Sequence, residues 1–192
     1  MAEHGQNVPN RLTDQESATI LHALLKRHAS LMAEAEKLAT KLMKTSSSLD
    51  IAASVVEAVT SLDLQDLNGR AGATPGGYVE PTDAAWELLE EAVEDFLADM
   101  RRRAELGLTD AADMMCRGII AGLYRAKDKD SDGPLGWAPD FPAEEACHAV
   151  AELLRACPGQ TRTAVRTRIL DALAADVPDW AAMLNRTATK AP

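Results

Sequence analysis

The chain has 192 residues, 46% of them apolar but only 4% aromatic, and a formal net charge of −10. That length suits one domain, or one domain with a helical extension, and an apolar complement of mainly Ala, Leu, Val, Ile and Met favours helix over strand. Residues 48–145 hold eight Lys/Arg against twenty-one Asp/Glu, while the flanks 1–47 (six against five) and 146–192 (six against four) are slightly basic, so the acidic middle repels a phosphate backbone and argues against nucleic acid as a partner.

Residues 1–12, polar and broken by Pro9, are predicted to be a disordered tail. Thr13 and Glu16 then form a capping box. Leu21, Leu24, His28, Leu31, Ala35, Leu38 and Leu42 follow in steps of three and four. This heptad seam predicts a coiled-coil-like pairing, with a second copy of the chain as one partner. His28 is the flaw in the seam. One bent helix to about Lys44 is expected, with two shorter helices, the second capped by Ser30, as the alternative. The serines at 46–48 break the pattern, and a second helix is predicted over Leu49–Leu62 with Ile51, Ala52, Val55, Val59 and Leu62 on its apolar face. Residues 13–62 are thus expected to form an N-terminal helical hairpin, since short connections join spatial neighbours.

Residues 63–81, with Gly69, Gly72, Pro75, Gly76 and Gly77, read as an irregular Gly/Pro-rich arm. The helix predicted from Thr82 or Asp83 to Leu106 buries a stripe of Ala85, Leu89, Val93, Phe96, Met100 and Ala104. Its other face is acidic, with Glu87, Glu90, Glu91, Glu94 and Asp95, and suits a basic protein partner. Arg101–Arg103 complement its dipole, and Gly107 ends it. Thr109 is expected to cap a helix to Ala126, on which Gly118 and Gly122 let a neighbour approach closely. Further helices are predicted from Pro142 to Cys157, from Thr161 to Ala175, and briefly around Trp180, Met183 and Leu184. A loose tail is predicted over 187–192. The expected fold is all-α: six to seven helices in a bundle or a short helical-repeat array of TPR or HEAT kind, with residues 82–186 as its main body and no sheet.

The stretch with the shape of a chemical motif is Asp128-Lys129-Asp130-Ser131-Asp132-Gly133. Acids at alternate positions followed by glycine begin a calcium-binding EF-hand loop, and Leu135 stands where the hydrophobic anchor falls. The twelfth position, which needs a bidentate Glu, is Pro139, and Asp140 comes one residue late. A weak calcium site on Asp128, Asp130 and Asp132, with Asp140 as a further ligand, is the alternative to an acidic hydrated connection. Glu145-Ala146-Cys147-His148 places Glu and His three apart on a helix, as di-iron bundles do, but those need carboxylates from facing helices as well. Cys116, Cys147 and Cys157 lack the close pair that seeds a zinc site. Trp86, Trp137 and Phe141 are either partner anchors or fillers of the bundle end. Arg155, Arg162, Arg166 and Arg168 form a row that reads as a solvated face or an anion contact. None of the four histidines neighbours a Ser or Cys in a recognisable nucleophile elbow, and no resident cofactor is expected.

Ala85–Val93, Glu105–Leu108, Ile119–Tyr124 and Gly136–Pro142 together resemble a group of uncharacterised bacterial all-helical proteins, over about residues 20–155. The order helix, glycine, helix, acidic loop, helix is similar, more distantly, to the helical-repeat regions that accompany SWIM-type zinc fingers, whose Cys-x-Cys signature is absent here. Both resemblances imply a scaffold or binding role. With an odd number of cysteines, no apolar run near the ~20 residues a bilayer needs, and no positively charged leader, a cytoplasmic protein without membrane contact is expected.

Overall fold

The computed structural model describes residues 11–43, 47–129 and 132–191. It divides into two compact units, Met1–Leu42 and Met43–Pro192. The division falls inside the stretch 13–62.

In the first unit, α1 (Asp14–Arg27) opens with the capping box: Thr13 N donates to Glu16 Oε2 at 2.9 Å and Glu16 N to Thr13 Oγ1 at 3.3 Å. The expected single bent helix is not formed. At His28 (φ −130°, ψ 80°) the chain leaves the helix, makes a 3-10 turn over Ala29–Leu31, and restarts as α2 (Met32–Met43). Neither α1 nor α2 contains a buried residue.

In the second unit, α3 (Ser48–Thr60) is capped by Ser47 Oγ, which accepts from Leu49 N at 3.2 Å. Its buried face is Ile51, Ala52, Val55 and Val59, and it packs on α6 (Thr109–Ala126). The expected irregular arm is instead ordered. Asp63 and Asp66 build a second capping box for α4 (Leu64–Arg70). Strands β1 (Gly72–Thr74) and β2 (Gly77–Val79) then pair antiparallel, Gly72 with Val79, Ala73 with Tyr78 and Thr74 with Gly77. The expectation of no sheet is corrected by this one small hairpin. Three residues per strand are too few to show a period of two, and the Pro75-Gly76 cluster is its two-residue turn.

Helix α5 (Pro81–Glu105) buries the predicted stripe, with Leu97 rather than Phe96 at its centre. It ends in a Schellman motif at Gly107 (φ +76°), where Gly107 N donates to Ala104 O and Leu108 N to Arg103 O. Helix α6 is central, touching α3, α5, α8 (Phe141–Ala156) and α9 (Gly159–Asp176). A one-turn helix α7 (Pro134–Trp137) precedes α8. After α9 a 3-10 turn at Pro178–Trp180 leads into α10 (Ala181–Lys190). The predicted loose tail from Thr187 is therefore helical: Ala188 is buried and Arg166 Nη2 donates to Ala191 O at 3.1 Å. The all-α expectation holds, with ten α-helices among the described residues because short α4 and α7 form and the first helix divides. None of them is long and apolar enough to cross a membrane.

Candidate functional site

The acidic loop is built differently from a calcium loop at the positions that can be followed. Asp130 lies outside the described residues. Asp128 is exposed, with Lys127 Nζ 3.9 Å from its carboxylate, and Asp132 is exposed as well. Gly133 has φ −87°, so it does not supply a left-handed turn. Its lack of a side chain serves packing, because a Cβ there would collide with the carbonyl oxygen of Leu62. The carbonyl of Pro134, the loop's seventh position, accepts from Ala138 N at 3.0 Å within α7. Leu135 is buried, as an anchor would be. Asp140 is exposed and leads into α8, its backbone carbonyl accepting from Ala143 N and Glu144 N.

On α8, Glu145 is only 4% exposed and its Oε1 lies 3.2 Å from His148 Nδ1. His148 Nε2 is 3.8 Å from Glu152, which also accepts from Arg101 of α5 at 3.2 Å. Glu90 and Glu94 of α5 face the same seam and add negative potential at Glu145. Acids of α5 thus lie near the Glu-x-x-His step. Among the described residues, however, no three His, Cys, Asp or Glu are disposed to hold a metal ion.

Burial raises the Glu145 carboxyl above its ordinary value of 4.5, against the opposing pull of His148, and Glu90 and Glu94 raise it further. The folded chain therefore keeps this proton to higher pH than the unfolded chain. The contribution to stability is largest below about 4.5 and is lost as pH rises through the folded value. Glu145→Gln removes this slope. Its melting temperature, followed between about pH 4 and pH 8, is expected to fall less with rising pH than that of the wild type.

The acidic face of α5 is partly neutralised within the second unit. Arg70 holds Glu91 at 2.7 Å and Glu87 at 3.5 Å, Arg101 holds Glu94 at 2.5 Å, and Arg102 and Arg103 both pair with Asp99. This leaves less free charge for a basic partner than the composition suggests. The row of C-terminal arginines is likewise structural. Arg155 pairs with Glu152, Arg162 Nη2 donates to Cys157 O at 3.2 Å, and Arg168 bridges α9 to Asp113 at 2.7 Å and Asp110 at 2.8 Å on α6. Asp113, 6% exposed, was not legible as a buried charge; its Oδ1 has no partner, and burial raises its carboxyl despite Arg168. Cys116 and Cys157 are buried and unbridged, and burial pushes both thiols up, so neither is poised as a nucleophile.

The aromatics divide. Phe141 is fully buried, with Trp86 edge-on at 5.1 Å, whereas Trp137 is 47% exposed. Most of the large exposed apolar side chains among the described residues lie elsewhere, on the first unit. Leu21, Leu24, Leu31, Leu38 and Leu42 of the predicted seam are all exposed, Leu42 by 75%, and Ile20 and Met32 join them. Between α1 and α2, Leu21, Leu24, Leu31 and Leu38 border an apolar groove of about 200 Å³ with Leu25, Ala35 and Glu34. No protein family, curated protein or solved structure matches the chain.

Proposed function

We propose that the protein is a cytoplasmic, non-catalytic helical scaffold that self-associates through α1 and α2. The observation that carries this reading is the exposed heptad seam. Helices of 14 and 12 residues sit at the limit of what is stable alone in water, about 12–15 residues, and neither contains a fully buried residue. Their apolar stripe gains its burial from a surface of the same period, and a second copy supplies one automatically. Charge agrees with that choice of occupant. Residues 1–47 carry a net +1, whereas the rest of the chain carries −11, so copies that meet through this unit keep their repelling bodies outside the contact.

Light scattering on the full chain after gel filtration tests this. The expected mass is twice the 20.6 kDa of one chain. Leu24→Asp with Leu38→Asp is expected to return the protein to monomer and to reduce helicity by the share of α1 and α2, leaving the melting of the second unit unchanged. A wild-type monomer at tens of micromolar with α1 and α2 still helical would overturn the proposal.

A further inference from the structure

The second unit contains a recess that the scaffold reading does not use. It lies where the first turn of α3 meets one face of α6 and the end of α9, and is lined by Ser48, Leu49, Arg117, Ala121, Tyr124, Arg125 and Asp176. Its volume is about 190 Å³, below the roughly 300–1,000 Å³ of drug-sized sites. That is room for a tetrahedral oxyanion or a short ester of one, and too little for a nucleotide.

Gly118 and Gly122 create the recess. An added Cβ at Gly118 would stand 2.7 Å from Ile51 Cβ, and one at Gly122 2.7 Å from Val55 Cβ, so α3 lies directly on α6. This approach places the N-terminal end of α3, where the helix dipole is positive, beside the guanidinium groups of α6. Residues 117, 121, 124 and 125 share one face of α6 by their spacing.

The charges in the recess do not cancel. Arg117 Nη2 donates to Asp176 Oδ2 at 2.9 Å, while its Nε is buried without a partner. Arg125 is exposed and has no ion pair or hydrogen-bonded side-chain partner among the described residues. Every other arginine from Arg70 to Arg168 has a protein partner. The nearby Asp179 is occupied, accepting from Tyr124 Oη at 2.7 Å and from Lys127 Nζ at 2.8 Å. Two arginines and the first turn of α3 thus line the recess with one carboxylate, Asp176, while Asp50 in that turn and Asp113 near Arg117 add negative charge behind the lining.

We infer that this recess binds a phosphate-class oxyanion, either inorganic phosphate or a small phosphate monoester, between Arg117, Arg125 and the first turn of α3. Planar guanidinium forks suit tetrahedral oxyanions. Asp176 is the built-in competitor, and that gives the site a signature that unspecific attraction lacks.

Calorimetric titration of the full chain with inorganic phosphate, and separately with glycerol 3-phosphate, at ionic strength matched with chloride, tests the inference. Saturable binding at one site per chain is expected, and the tighter of the two probes identifies the source. Arg125→Gln, a change at an exposed position, is expected to weaken binding about tenfold or more. Asp176→Asn, which removes the competing carboxylate and releases Arg117 Nη2, is expected to tighten it. Absence of saturable binding by the wild type, an unchanged affinity in Arg125→Gln, or weaker binding in Asp176→Asn would each overturn the assignment.

Discussion

Replacing Gly118 and Gly122 together by alanine is expected to destabilise the second unit by up to about 4 kcal/mol, read as a lower urea midpoint at unchanged slope. Taken alone, Gly→Ala in a helix interior gains about 1 kcal/mol per site, because alanine loses less backbone entropy. Here the surroundings reverse the sign. The new Cβ at Gly118 meets Ile51 Cβ at 2.7 Å and Ser48 O at 2.9 Å, and that at Gly122 meets Val55 Cβ at 2.7 Å and Ala52 O at 2.8 Å. A side chain can rotate away, but a backbone carbonyl moves only with its helix. Helix α3 must therefore retreat along its length, opening the contact of Ile51, Ala52, Val55 and Val59. Overpacking of this kind costs about 1–3 kcal/mol per site, more than the propensity gain returns. Gly69→Ala is the internal control: nothing lies within 4 Å of its added Cβ, so it is expected to be neutral or stabilising by up to about 1 kcal/mol. If the double variant were as stable as the control, α3 would not be seated on that face of α6.

The same glycines show how far the fold can be read from residue order. Their shared face announced a close neighbour, and the face Ile51, Ala52, Val55 and Val59 announced a helix in need of one. Nothing in either pattern says that the two belong together, because the contact spans nearly seventy residues of chain, and the shortest connection pointed to the first helix instead. Residue types marked the end of α5, where Gly107 adopts the positive φ that the C-cap requires. The division at His28 was visible only as a flaw in the seam. The buried charges were the least legible. Asp113 and Glu145 sit beside apolar stripes, and their partners or neighbours, Arg168 and Glu90 with Glu94, lie some fifty residues away on other helices. The acidic loop shows the reverse: its glycine stands where an EF-hand would place one, yet the carbonyl of Leu62 is what requires it.

Phe141→Ala is expected to destabilise the second unit by about 3–5 kcal/mol, the range for removing a large aromatic from a core that closes only partly behind it. Phe141 is 0% exposed at the first turn of α8 and meets the ring of Trp86 on α5 at 5.1 Å and 73°, the edge-on geometry that aromatic pairs favour. Its removal leaves Trp86 without that contact and opens space between α5 and α8. Against a total stability of about 5–15 kcal/mol, the loss is a large share, and at about 2–4 °C per kcal/mol it lowers the melting temperature by roughly 10 °C. Trp137, four residues earlier and 47% exposed, separates core filling from partner anchoring. Trp137→Ala is expected to change the unfolding free energy by less than about 1 kcal/mol, because water already covers about half of the ring. Thermal melts of both variants decide which aromatic holds the bundle end. A small effect at Phe141 with a large one at Trp137 would mean that the stretch from Gly136 to Pro142 packs the other way round, with Trp137 inside and Phe141 facing solvent.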